Sequence, residues 1–252
     1  MSEICLRVRL KQSFLDLLFP PRCVGCGRVG FWLCEQCWAA IEFVSSPVCA
    51  LCGEPLSNAS SRLCLRCRVA PLQIDGIRSV AYFEGVLRQA IHRFKYEGVP
   101  ALAASLGELL HAGWQTIRPP GEVIVPVPLH PRRQRERGYN QAALLARSLG
   151  TRCGLPVLEE TLSRVRDTPP QTGLNAQQRK ENMREAFRCR DESLAGKQVL
   201  LIDDVCTTGA TLEACSVALR RAKVRSVWAL SLARPRIENR ERSRKDATDY
   251  HR

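Results

Sequence analysis

Eight cysteines set the strongest constraint on this chain. They fall in four CxxC pairs, Cys23/Cys26, Cys34/Cys37, Cys49/Cys52 and Cys64/Cys67. Seven residues separate the pairs of the first foursome and 11 those of the second. The knuckles "CVGCG" and "CALCG" nearly repeat, each with a glycine (Gly27, Gly53) after its second cysteine. Glycine there lets the backbone turn and aim amide hydrogens at thiolate sulfur. Zinc takes four thiolates tetrahedrally, and a CxxC turn supplies two of them. Four protein ligands leave no open position, so two such zinc ions would be structural, and a segment this short would draw its folding energy from them. The repeat favours sequential foursomes, while interleaved sites stay open. Disulfides, favoured by an oxidising compartment, or free buried thiols are the alternative. Cys5, Cys153, Cys189, Cys206 and Cys215 have no CxxC partner and read as small apolar residues.

The opening "MSEICLRVRLKQSFLDLLFPPRC" carries Lys11 and Asp16 inside its apolar stretch, which argues against a signal peptide. It reads as an amphipathic helix, Leu10 to Phe19, stopped by Pro20 and Pro21. No run approaches the roughly 18 apolar residues of a membrane span. The expected setting is a reducing cytoplasm, where clustered cysteines bind metal.

After residue 70 the pattern alternates. "GIRSVAYFEG", "EVIVPVP", "LPVLEETLSRVR", "QVLLIDD" and "SVWALSLA" read as strands. "VLRQAIHRFKYEG", "ALAASLGELLHAGW", "NQAALLARSLG" and "TLEACSVALRRAKV" repeat apolar positions at helical spacing. Asn140 is a plausible N-cap and Gly150 a plausible end for the third helix. The alternation predicts an α/β fold, a parallel sheet flanked by helices. The expected boundaries are an N-terminal segment at 1–22, a double zinc ribbon at 23–70, an α/β domain at 71–234 and a charged, disordered tail at 235–252. The polar stretch between Arg166 and Phe187 is long for a connector.

Net charge is +13. Residues 126–190 hold 13 basic and 6 acidic side chains, a surplus of +7 that suits polyanions such as nucleic acid or a phosphate-rich small molecule and equally a solvated, arginine-rich surface. Over 1–70 the counts are 8 and 5, too even to decide whether the ribbon meets nucleic acid or a protein.

The stretch "VLLIDDVCTTGATL" ends an apolar strand on Asp203 and Asp204 and turns through small residues into a helix. In a parallel sheet, ligands bind beyond the carboxyl ends of the strands. Thr207, Thr208 and Thr211 offer hydroxyls, Gly209 allows close backbone approach, and amides at the helix start favour a phosphate. Paired carboxylates accept from sugar hydroxyls or from the water shell of a metal ion. A phosphorylated ribose meets both demands. The stretch has neither the lysine of a Walker loop nor a G-x-G-x-x-G pattern.

This stretch resembles the phosphoribosyl-diphosphate signature of type I phosphoribosyltransferases. "VPVPLHPRRQRERGYNQAALLA" (125–146), "SRVRDTPPQTGLNAQQRKENMREAF" (163–187) and the cysteine pairs after "LLFPPRC" resemble the remaining hallmarks of the ComF family. The match covers nearly the whole chain to Arg234. It implies a five-stranded, type I phosphoribosyltransferase-like parallel core behind an N-terminal double zinc ribbon.

The resemblance also implies a site. Asp203 and Asp204 would contact the ribose hydroxyls. The loop through Val205, Cys206, Thr207, Thr208, Gly209, Ala210 and Thr211 would hold the 5-phosphate. Leu129, His130, Arg132, Arg133 and Arg137 would face the diphosphate. Arg164, Thr168, Gln171 and Arg179 fall where a mobile loop closes over the ligand. Phosphoribosyl diphosphate would arrive with Mg²⁺, and in an enzyme the diphosphate would be displaced at C1 by an acceptor that no motif names. The polar tail leaves the place of the acceptor-selecting hood open to the zinc ribbon. A second class of function stays open, a non-catalytic, nucleic-acid-handling accessory of natural transformation, with single-stranded DNA or a competence helicase as partner. Aromatic content of 6% offers few stacking platforms for single strands.

Overall fold

A computed structural model of the chain describes residues 20–166, 186–189 and 192–236. The amphipathic segment at Leu10–Phe19, the greater part of the tail, and Thr168, Gln171 and Arg179 lie outside them.

The described helices and strands follow in chain order: α1 (Glu35–Ala39), α2 (Leu65–Val69), β1 (Gly76–Tyr82), α3 (Gly85–Tyr96), α4 (Leu102–Ile117), β2 (Val123–Pro126), α5 (Pro131–Arg137), α6 (Gln141–Cys153), β3 (Leu162–Arg164), β4 (Phe187–Cys189), β5 (Gln198–Val205), α7 (Ala210–Arg221) and β6 (Ser226–Arg234). Four strands form a parallel sheet in the order β1-β6-β5-β2. Its two faces bury alternate residues, as the strand period requires. Val80, Ile124, Leu200, Ile202, Leu230 and Leu232 pack with α3, α4 and α6. Ile77, Val123, Val125, Leu201, Val227 and Ala229 pack with α7 and the antiparallel β3–β4 pair.

The fifth strand position is reduced to a single parallel bridge, Ile124 with Val157. The Ile124 amide donates to Pro156 O at 2.8 Å, and the Leu158 amide donates to Ile124 O at 2.9 Å. Pro156 has no amide to extend the ladder, and prolines in sheets are confined to such edges. The predicted strand "LPVLEETLSRVR" therefore divides into this bridge and β3. Helix α6 starts where expected, with Asn140 Oδ1 accepting from the Ala142 amide at 3.0 Å. Its predicted end is corrected. The helix passes Gly150 and stops at Gly154, φ 71°. Gly150 serves packing instead, since a Cβ there would lie 2.4 Å from Val157 Cγ2.

The topology places the site. From β2 the chain runs through α5 and α6 to Val157 on its outer flank, and from β5 it runs through α7 to β6 on the opposite side. The carboxyl ends of β2 and β5 thus meet at the switch point of the sheet, where open α/β folds bind ligands. The Val127 amide donates to Ile202 O at 2.9 Å, so the two outgoing loops leave side by side.

Candidate ligand cleft and metal sites

Both foursomes are sequential. The sulfurs of Cys23, Cys26, Cys34 and Cys37 lie within 4.8 Å of one another, as do those of Cys49, Cys52, Cys64 and Cys67. A thiolate tetrahedron around zinc has edges of roughly 3.8 Å. The Cys26–Cys34 and Cys52–Cys64 sulfur pairs, each at 3.6 Å, match that spacing. The repeat holds in detail. Gly27 and Gly53 adopt φ 75° and 66°, and their amides donate to Cys23 O and Cys49 O at 2.8 and 2.9 Å. Helices α1 and α2 each begin directly after the third cysteine of their foursome. The Cys34 amide donates to Cys23 Sγ at 3.4 Å. The residues present fit two structural zinc ions. Metal analysis is expected to return two zinc per chain, and Cys64→Ser about one. A single ion in the unsubstituted protein would contradict two filled clusters.

Asp203 and Asp204 point to opposite faces of β5, and Asp204 meets a cation. Lys95, near the end of α3, pairs with Asp204 Oδ1 at 2.7 Å. Asp204 is 7% exposed. On the other face, Arg164 stands over the Phe187 ring at 5.6 Å. Burial and the neighbouring Asp204 push the half-buried Asp203 carboxyl up to about 7, against the lowering pull of Lys95 and Arg164. The Asp204 amide donates to Asp203 Oδ1 at 2.8 Å. Beside Asp203 in register lie Ser231 and Ser79, buried, their hydroxyls bonded at 2.7 Å.

Val205 is half-buried and Cys206 buried, its thiol pushed up to about 12 by that burial, so it is an inert filler. Thr207, Thr208 and Ala210 are exposed, and Thr211 is half-buried. Gly209 turns at φ 80° into α7. A Cβ there would come within 2.9 Å of Ile77 Cδ1, so glycine is required both for the turn and for the approach. Thr208 Oγ1 accepts from the Ala210 amide at 3.3 Å.

The segment after β2 is more ordered than a loop. Leu129 and His130 lead into α5, with Pro131 at its first position and Gly138, φ 82°, at its end. His130 Nδ1 accepts from the Arg132 amide at 3.4 Å, a capping role. Arg132 pairs with Glu136 at 2.9 Å, and Arg133 is exposed. Arg137 donates to Gln141 Oε1 at 2.7 Å and stacks over Tyr96 at 5.1 Å. The Tyr139 hydroxyl donates to Phe94 O at 2.5 Å. The end of α3, which carries Lys95, is thus locked to the segment that carries Arg137.

The second cysteine module reaches the same place. Arg66 Nη1 donates to Thr208 O at 2.9 Å. Lys95 and Arg66 are the contributors that sequence reading missed. They lie 109 and 142 positions from their partners, and a charge at a helix end or between two zinc ligands reads as solvated surface. No helix among the described residues is long and apolar enough to cross a membrane.

Comparison with known proteins agrees with this architecture. Residues 14–68 match the double zinc ribbon domain family and residues 135–251 the phosphoribosyl transferase domain family. The chain is 32% identical over 224 residues to Competence protein F of Haemophilus influenzae, covering 84% of this chain and 96% of that protein. It is 33% identical over 210 residues to the DNA utilization protein YhgH of Escherichia coli strain K12, covering 80% and 91%. It is 29% identical over 216 residues to Competence protein ComFC of Bacillus subtilis, covering 80% and 84%.

Proposed function

The chain belongs to the ComF/YhgH family, a double zinc ribbon joined to a phosphoribosyltransferase domain, and from that premise we propose that its cleft binds phosphoribosyl diphosphate. The observation that carries the reading is the switch point, where paired acids from β5 stand beside the amides that open α7. Asp203 and Asp204 accept from the ribose hydroxyls. The Thr207–Thr211 turn takes the 5-phosphate on its amides and hydroxyls. The His130–Arg133 end of α5, with Arg137, faces the diphosphate. Among the described residues the converging metal-ligand groups are the two cysteine clusters. Mg²⁺ therefore fits as a passenger of the diphosphate that keeps much of its water, its charge offsetting that of the leaving group.

In a transferase the C1–O bond to diphosphate breaks as the bond to the acceptor forms. Negative charge then grows on the diphosphate oxygens, where arginine and amide donors stabilise it. The relatives' names attach them to competence and DNA utilization, which supports a place in DNA handling for the protein that carries this pocket.

Calorimetric titration with phosphoribosyl diphosphate and Mg²⁺ tests the reading, with one site per chain expected. Lys95→Met leaves Asp204 without its cation beside a second carboxylate, and binding is expected to weaken about ten-fold. Wild-type protein that binds no phosphoribosyl diphosphate refutes the proposal. Single-stranded DNA binding that persists in Lys95→Met would assign DNA to a surface apart from the cleft.

A further inference from the structure

The cleft and the second cysteine cluster are joined by direct contacts. Arg66 lies between Cys64 and Cys67 on α2. Its Nη1 donates to Thr208 O at 2.9 Å. Thr208 is the residue whose hydroxyl caps the start of α7. Under the same turn, Ile77 Cδ1 lies against Gly209, and the Ile77 amide donates to Leu51 O at 2.6 Å, inside the Cys49–Cys52 knuckle. Arg78 Nη1 donates to Ala50 O at 3.0 Å in that knuckle. Farther along α7, the buried Glu213 carboxylate accepts from the Gln73 and Ile74 amides at 2.9 and 3.2 Å, fixing the chain that leaves the second cluster.

The first cluster is tied elsewhere. Gly25 sits against Val86 of α3, where a Cβ would come within 2.6 Å of Val86 Cγ2. Phe43 bridges Ala81, and the Val44 amide donates to Val80 O at 2.9 Å. These contacts cover the β1 edge.

We propose that the second cysteine cluster and the Thr207–Thr211 turn are one mechanical unit joined by Arg66, so that zinc in that cluster and a sugar phosphate in the turn each retain the other. Arg66 is a positioning residue. It reaches the ligand through the Thr208 carbonyl, whose direction fixes the neighbouring amides. The coupling is reciprocal, since a ligand that holds the turn in place holds Arg66, and with it the flanking Cys64 and Cys67. The inference rests on the proposed sugar-phosphate site.

The test uses the full zinc-loaded chain and ribose 5-phosphate as probe. Zinc release to excess chelator is followed with and without saturating probe. Two phases are expected, and Cys26→Ser, which disables the first cluster, identifies the phase of the second. The probe should slow that phase by a factor of about 5 to 150, the usual range for coupled sites, and leave the other unchanged. In Arg66→Met the zinc content stays at two per chain, probe affinity falls by a similar factor of about 5 or more, and the probe no longer slows release. Arg66→Lys keeps the charge without the planar fork, so it should recover part of the affinity but little of the kinetic coupling. Probe binding that leaves both phases unaltered overturns this inference alone, as does an Arg66→Met protein that behaves like wild type. Wild-type protein that binds no ribose 5-phosphate overturns the site and the coupling together. If Arg66→Met fails to retain two zinc ions, hydrogen exchange of the 207–211 amides in the wild-type protein decides. Protection there that is unchanged on loss of the second zinc refutes the unit.

Discussion

Asp203→Asn is expected to bind phosphoribosyl diphosphate about 100-fold more weakly than wild type, the cost of losing charge-assisted hydrogen bonds to a sugar diol. The same protein should unfold at a higher temperature. Both effects come from one carboxyl. Burial and the adjacent Asp204 raise its pKa to about 7, against the opposing pull of Lys95 and Arg164. In the unfolded chain the group titrates near its ordinary 3.8. Between those values the native state binds the proton more tightly, so this residue's contribution to stability falls as pH rises from about 4 to about 7. Above pH 7 the fold carries the full cost of an ionised, desolvated acid. Asparagine removes it; the full shift corresponds to about 4 kcal/mol, solvent at a half-buried group screens part of it, and the gain should be of the order of 2 kcal/mol at pH 8, vanishing below pH 4. For a chain of this size that corresponds to a melting temperature about 5 °C higher. Ligand affinity should run the other way in wild type, falling as pH drops below 7 and the acceptor is protonated. Melting curves at pH 5 and 8 with titrations across the same range check both signs. A variant that loses affinity and stability together at pH 8 would mean that Asp203 is a structural residue.

That trade between fit and function also governs how much of the molecule is legible in its sequence. The sheet is legible because "VLLIDD" and "EVIVPVP" are apolar runs bounded by turn residues, and the helices between them keep a 3.6-residue period. The two acids stand out because an apolar strand has no structural use for adjacent like charges. The cysteine foursomes are legible because four ligands from two tight turns are a local feature. What stays hidden is set by tertiary contact or by polar composition. Helix α5 carries no apolar face, and only Pro131 and Gly138 mark its ends. Gly150 has the residue type of a helix end but the environment of a helix–strand contact, which depends on Val157 across the chain. Lys95 sits between a buried Phe94 and an exposed Tyr96. Nothing in that order says that a strand more than a hundred residues later will bring Asp204 to it. The serines beside Asp203 are visible only through the register of three strands.

Arg234→Met is expected to lower stability by about 3 to 5 kcal/mol, among the largest effects of any single substitution here. Arg234 ends β6 and is 1% exposed. It pairs with the buried Glu54, and its Nη1 donates to Cys52 O at 3.1 Å. One side chain thus joins the last strand of the sheet to the second cysteine knuckle. Removing it takes from the buried Glu54 carboxylate its guanidinium partner, and the loss of that pairing in a buried interface sets the magnitude. The expected fall in melting temperature is about 10 °C. Replacing both partners by apolar groups, Glu54→Leu with Arg234→Met, should recover most of the loss, because a buried pair differs little in net energy from well-packed hydrocarbon. The double-mutant cycle separates the two accounts. A double variant as unstable as the sum of its singles would show that the residues act independently, and that the link between sheet and ribbon runs through backbone contacts such as Ile77 to Leu51 instead.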